Sequence, residues 1–139
     1  MGMGRTSVLV LAFGVLIAGG AARVAWTASA RPALRLEPST VDFGPLAERA
    51  TKGVIVRNAG RAPLRILAVS SSCGCTTAVI DATILPPGGS APLAITFDPV
   101  AHGPQPGPAR HAVYVRTNDQ RTPEAEIEVR AIVLKEPAR

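Results

Sequence analysis

The sequence predicts an all-β protein, two antiparallel sheets packed face to face as a β-sandwich, preceded by an N-terminal hydrophobic segment. Three observations carry this expectation. Apolar and polar residues alternate with period two in short runs, about seven of them, so each run has one oily and one wet face. Turn chemistry recurs between the runs, with thirteen glycines and thirteen prolines in 139 residues. No amphipathic helical period of useful length interrupts the series. An apolar fraction of 47% with 18% charged residues is too hydrophobic for disorder. The length suits one domain and a targeting segment, divided here as 1–30 and 31–139.

Residues 1–30 read as a signal peptide or membrane anchor. Arg5 and the amino terminus precede an unbroken small and apolar run from Val8 to Ala22, and Ala28-Ser29-Ala30 offers a cleavage site. As a helix, that run would extend roughly 22 Å, short of a hydrocarbon core of roughly 30 Å. Extension through Arg23 to Trp26, with both side chains at the interface, keeps a retained transmembrane helix open. Either outcome makes the domain extracytoplasmic: secreted, periplasmic or held on the outer face of the cytoplasmic membrane. No cysteine lies near the leader to carry a lipid.

The runs then follow in order. Leu34 and Leu36 alternate with Arg35 and Glu37, and Pro38-Ser39 turns the chain into Val41-Asp42-Phe43-Gly44-Pro45. Lys52 to Arg57 is closed by Asn58-Ala59-Gly60, residues that tolerate left-handed backbone. Pro63 to Val69 puts Leu64 and Ile66 on one face and leads into Ser70-Ser71-Ser72-Cys73-Gly74-Cys75-Thr76-Thr77. Leu85-Pro86-Pro87-Gly88-Gly89 excludes helix and central strand. From Ala91 to Phe97 the residues Leu93, Ile95 and Phe97 share a face. His102 to Pro108 is a stiff surface loop. His111 to Thr117 and Glu126 to Leu134 are the last runs, joined through Asn118-Asp119, with Ile127, Val129, Ala131 and Val133 on one side.

Setting the leader aside leaves thirteen Lys/Arg against ten Asp/Glu, a net charge of +3. The arginines are scattered and aromatics to stack on bases are few, so the sequence points to no nucleic-acid partner. Phosphate loops, His-Glu-x-x-His and Gly-x-Ser-x-Gly are absent, and no cofactor is called for. Asp42, Asp98 and Asp119 fall at strand ends and turns, where Asx capping is the usual reason for an aspartate. The expectation is a non-enzyme.

Cys73 and Cys75 are the only cysteines, and three readings stand beside one another. They close a disulfide or pack as thiols, with Gly74 allowing the bend and Ser72 and Thr76 flanking it. A three-residue loop gains only about 1.6 kcal/mol from closure, so stapling is a weak purpose. In an extended segment their Cα atoms would lie near the limit for a bridge, which favours a labile redox pair. Against that stand the missing Cys-x-x-Cys and the lack of a neighbouring His in the sequence. Two thiolates would also hold a soft ion such as Cu(I), while His102 and His111 read as solvated side chains rather than ligands.

From Leu36 to about Val133 the chain resembles a bacterial family known as domain of unknown function 1573. The resemblance rests on Asp42-Phe43-Gly44, on Asn58 to Ile66, on Ser72-Cys73-Gly74-Cys75-Thr76, on Pro87-Gly88 and on Thr117-Asn118-Asp119. It implies an exported immunoglobulin-like sandwich similar to ASH, MSP and PapD-type domains, without an established activity. The expected role is binding a protein or cell-envelope component, with the membrane met through an uncleaved N-terminal segment. Thiol redox or copper handling through the Cys-x-Cys pair is the alternative.

Overall fold

The computed structural model describes residues 29–101 and 105–135. The leader up to residue 28, His102 and the first part of its loop lie outside them. Among the described residues nine strands follow in chain order: β1 (Leu34–Glu37), β2 (Thr40–Leu46), β3 (Ala50–Asn58), β4 (Leu64–Ser71), β5 (Thr76–Ile80), β6 (Ile84–Leu85), β7 (Ser90–Phe97), β8 (Gly107–Thr117) and β9 (Glu124–Val133). One sheet has the order β1-β3-β7-β5 and the other β2-β9-β8-β4-β6. The sandwich is therefore as expected, with two additional strands, β5 and β6, in the stretch after the cysteines. One pairing departs from the antiparallel expectation: β2 runs parallel to β9, because β1 and β2 are neighbours in sequence that belong to opposite sheets. Pro108 also leaves the expected loop and pairs with Ile132 at the start of β8.

The period-two pattern converts directly into a core. On β7 Ala91, Leu93, Ile95 and Phe97 are buried, and on β9 Ile127, Val129, Ala131 and Val133. Leu64, Val113 and Val115 from the second sheet and Val54 and Val56 from the first are fully buried between them. Polar side chains on the alternate positions meet water, so each strand has a single register that satisfies both faces.

At one end of the sandwich the buried Asn58 and Asp119 and the exposed Asn118 form a latch. Asn58 is fully buried; its Oδ1 accepts from Gly60 N–H (2.9 Å) and Ala33 N–H (3.2 Å), and its Nδ2 donates to Ala62 O (2.8 Å) and Leu85 O (3.0 Å). Neither Asn58 nor Gly60 uses the left-handed backbone expected of them. Gly60 is required for a different reason: a Cβ there would run into Arg31 O and Ala33 N where the incoming chain crosses. Asp119 Oδ2 accepts from Leu34 N–H (2.9 Å) and its Oδ1 from Arg121 N–H (2.9 Å). Asn118 Oδ1 accepts from Arg65 N–H (2.7 Å) and its Nδ2 donates to Pro63 O (3.2 Å). Asp119 and Asn118 thus hold the first strand and the start of β4 to the turn between β8 and β9, while Asn58 ties the incoming chain to the β3–β4 turn and to β6.

Asn58→Ala leaves two buried acceptors and two donors without partners and is expected to cost on the order of 3 kcal/mol in denaturant unfolding. An exposed change such as Val79→Ala, at a residue 61% accessible, is expected to stay within about 0.5 kcal/mol.

Burial alone would raise the Asp119 carboxyl, but donations from the Leu34, Arg121 and Thr122 amides, together with the Arg121 charge, bring it below the usual carboxylate range. A depressed folded pKa contributes stability that is complete above the unfolded value of about 3.9 and is lost as pH falls through the folded one. Acid titration of the unfolding free energy should therefore fall below about pH 4, and fall less steeply in Asp119→Asn.

Candidate functional site

The cysteine segment lies at the opposite end of the sandwich, between β4 and β5. Residues 72–75 form a bend and turn rather than an extended run, with Cys73 and Cys75 joined by a disulfide across a Cα separation of 5.2 Å. The Cα separation lies inside the normal range for a bridge, because the segment turns instead of running extended. Gly74 does not adopt a positive φ, so the bend does not depend on its conformational freedom. Backbone hydrogen bonds make it instead. Thr76 N–H donates to Cys73 O (3.1 Å), and Asp98 N–H, at the end of β7, donates to Cys75 O (2.8 Å). The Ser71 hydroxyl sits within reach of Cys73 O (2.8 Å) and Thr76 O (2.6 Å), bracing the turn from inside. Ser72 pairs with β8 in both directions: its N–H donates to Ala112 O and its Oγ accepts from Ala112 N–H, each at 2.9 Å.

Those two bonds fix where β8 lies relative to the sulfurs, and they bring in His111. Its Nε2 is 3.5 Å from Cys75 Sγ. The ring stacks on Phe97, with centroids 5.7 Å apart and planes at 29°, and Phe97 in turn meets Phe43 at 5.9 Å. Cys75 is buried, while Cys73 and His111 are half-buried. The ligand-capable atoms of Cys73, Cys75 and His111 all lie within 4.8 Å of one another. Desolvation holds the His111 imidazolium below its ordinary pKa. A cleft of about 420 Å³ opens over this group.

The expectation of a solvated His111 is therefore corrected. It is 36 residues from Cys75 and no local motif joins them. The available signal was parity: His111 shares the inward alternation of β8 with Val113 and Val115. The other motif residues divide between the two ends. Asp42, Phe43 and Gly44 form the bulge of β2 near the cleft, where Asp42 Oδ1 accepts from Gly44 N–H (2.7 Å) and Gly44 has φ +66°. Phe43 packs against the cluster that contains Cys73 and Cys75. Asn58, Gly60, Asn118 and Asp119 lie at the latch end and do not reach the sulfurs. Asp98, on the cleft wall, is engaged by Arg49 (2.7 Å) and by Val100 N–H (3.1 Å), both of which lower its pKa.

Two sheets with this strand order, closed at one end by side-chain hydrogen bonds, define a β-sandwich of the ASH and PapD-like type. The PapD-like domain 7 of human CEP192 superposes with a TM-score of 0.58 at 10% identity, covering 77% of this chain and 89% of that one. The YadV chaperone gives 0.58 at 11% identity, covering 76% and 54%. Both likenesses are of fold. The chain belongs to the family described as protein of unknown function (DUF1573), whose model matches residues 34–133. A protein of unknown function from Porphyromonas gingivalis W83 is 33% identical, with a TM-score of 0.68 over 78% of this chain. The match spans half the length of that protein. No curated protein matches. Among the described residues, no helix is long and apolar enough to cross a membrane.

The shift at His111 has a direct check. In a proton NMR titration its ring resonances should move with a midpoint below the usual value of about 6.5. A midpoint at or above that value would mean that the ring is solvated or paired with an anion.

Proposed function

We propose that the chain is an exported or membrane-anchored, non-catalytic immunoglobulin-like module that binds an extended segment of an envelope protein along β5. The observation that supports this reading is the unprotected edge of that strand. Each sheet edge is a row of unpaired N–H and C=O groups, and sandwiches blunt such edges with charge, proline, bulges or brevity. Here β1 carries Arg35 and Glu37, β2 has a bulge and Pro45, and β6 is two residues long and followed by Pro86-Pro87. By contrast, β5 is Thr-Thr-Ala-Val-Ile, without charge, proline or bulge, and among the described strands only β7 pairs with it.

Facing it is a second open edge. Beyond Ile66, β4 pairs with β8 on one side and with no described strand on the other. A shallow groove of about 280 Å³ runs between the two, lined by Ile66 to Val69 and by Ala78 to Ile80. Leu67 is 57% and Val79 61% exposed. An added strand would pair with the β5 backbone and lay alternate apolar side chains into this groove. The chaperone likeness is one of fold and agrees with a protein partner.

Export is supported by the hydrophobic leader and by a bridged cysteine pair, which persists outside the reducing cytoplasm. A non-catalytic role is supported by the aspartates. Asp42, Asp98 and Asp119 all hold local backbone amides, which gives each of them a structural task.

A photoreactive residue in place of Val79, in the full-length chain in its own cells, should give a discrete crosslinked product. Position 55, exposed on the outer face of the same sheet, should not. Val79→Lys should abolish the product formed from position 67. Equal crosslinking at 55 and 79 would remove the edge from consideration.

A further inference from the structure

We propose that Cys73, Cys75 and His111 form a redox-gated site for Cu(I), closed in the bridged form and opened by reduction of the disulfide. The site is independent of any partner on β5.

Three features of the cleft converge on this assignment. The first is donor type. Two thiolates and a neutral imidazole select soft, thiophilic d10 ions, and the cleft offers no carboxylate within ligand distance of the cluster among the described residues. Asp98 is turned to Arg49 and to the Val100 amide. Two sulfurs and one nitrogen complete a three-coordinate set, which suits Cu(I) without further ligands; a tetrahedral ion such as zinc would have to add a water as its fourth donor.

The second feature is distance. Metal–sulfur and metal–nitrogen bonds of about 2.3 and 2.0 Å place sulfur and nitrogen ligands of one ion roughly 3.5 to 3.8 Å apart. Nε2 of His111 already stands 3.5 Å from Cys75 Sγ. The third is the placement of His111 itself. It faces inward, stacked on Phe97, and the sulfur is its only hydrogen-bonding partner among the described residues. An inward histidine with no oxygen partner is set for a ligand on that side.

The bridge is the gate. A dithiol reductant transfers two electrons and two protons to the Cys73–Cys75 bond, becoming a disulfide itself and leaving two thiols. Cys73, the more accessible of the pair, is the sulfur open to attack. Binding of one Cu(I) then releases the two thiol protons, giving a bis-thiolate, mono-imidazole complex. Both sulfurs separate by side-chain rotation alone, because the turn is held by the amides of Thr76 and Asp98 and by Ser71 and Ser72.

The test uses the full-length chain, oxidised or reduced and desalted, titrated anaerobically with Cu(I) against a chromophoric chelator. Reduced protein should take up one Cu(I) per chain and oxidised protein none, with X-ray absorption reporting two sulfurs and one nitrogen. His111→Ala should weaken binding about tenfold or more and remove the nitrogen scatterer. Uptake that is absent from reduced protein, or equal in both forms, overturns the proposal. So does an unchanged affinity and sulfur-only shell in His111→Ala, or zinc binding in preference to Cu(I). The oxidised and reduced wild type decide the central point even where a cysteine variant fails to fold.

Discussion

The constraint on which the rest of this structure depends is the meeting of two apolar faces across one interior. Leu93 and Ile95 on β7, Val113 and Val115 on β8 and Ile127 on β9 are all fully buried there. Because side chains alternate on a strand, moving any one of these strands by a single residue would exchange its buried row for its wet row. The register is therefore fixed by burial, and it is the register that carries chemistry. His111 lies two residues before Val113 on the same face, so the packing of Val113 determines that the imidazole also turns inward.

The two ends of the sandwich solve different problems. At one end the chain arrives through Arg31 to Ala33, and two buried polar side chains, Asn58 and Asp119, hold it to the strand ends, while Asn118 holds the start of β4. Buried amides and carboxylates of this kind are costly unless every partner is present, and no buried side-chain nitrogen or oxygen lacks one among the described residues. At the other end the polar groups of the turn satisfy one another through backbone contacts, leaving the imidazole with a sulfur rather than an oxygen partner. A residue motif at the latch end is thus explained by folding, while Cys73, Cys75 and His111 are surplus to it.

Most of the fold was legible in the sequence because its signal is periodic. The buried rows of β7 and β9 are those that alternation selects, and the turns fall where glycine, proline and asparagine cluster. The features that escaped are those without period or locality. Thr76 to Ile80 is too short to alternate convincingly, and the two residues of β6 cannot alternate at all. The roles of Asn58 and Gly60 were misassigned, since a turn and a crossing chain both select glycine and only coordinates distinguish them. The parallel pairing of β2 follows from a change of sheet, which composition does not encode. Of the candidate site, the sequence supplied both sulfurs but not the nitrogen, because 36 residues separate them and the contact exists only through strand register.

A disulfide two residues apart invites the question of what it is for. Closing so small a loop stabilises the fold by only about 1.6 kcal/mol on chain-entropy grounds. The turn it spans is already fixed by Thr76 and Asp98 amides, by the Ser71 hydroxyl and by the reciprocal Ser72–Ala112 pair. Stapling is therefore a weak reason for this crosslink. What it does change is the chemistry of the cleft: bridged sulfurs are poor ligands and have no protons to give, whereas reduced ones are nucleophiles and metal donors. The same backbone can therefore present either state beside an imidazole that does not have to move. This separation of scaffold from sulfur chemistry is what makes a reversible site possible in so small a domain.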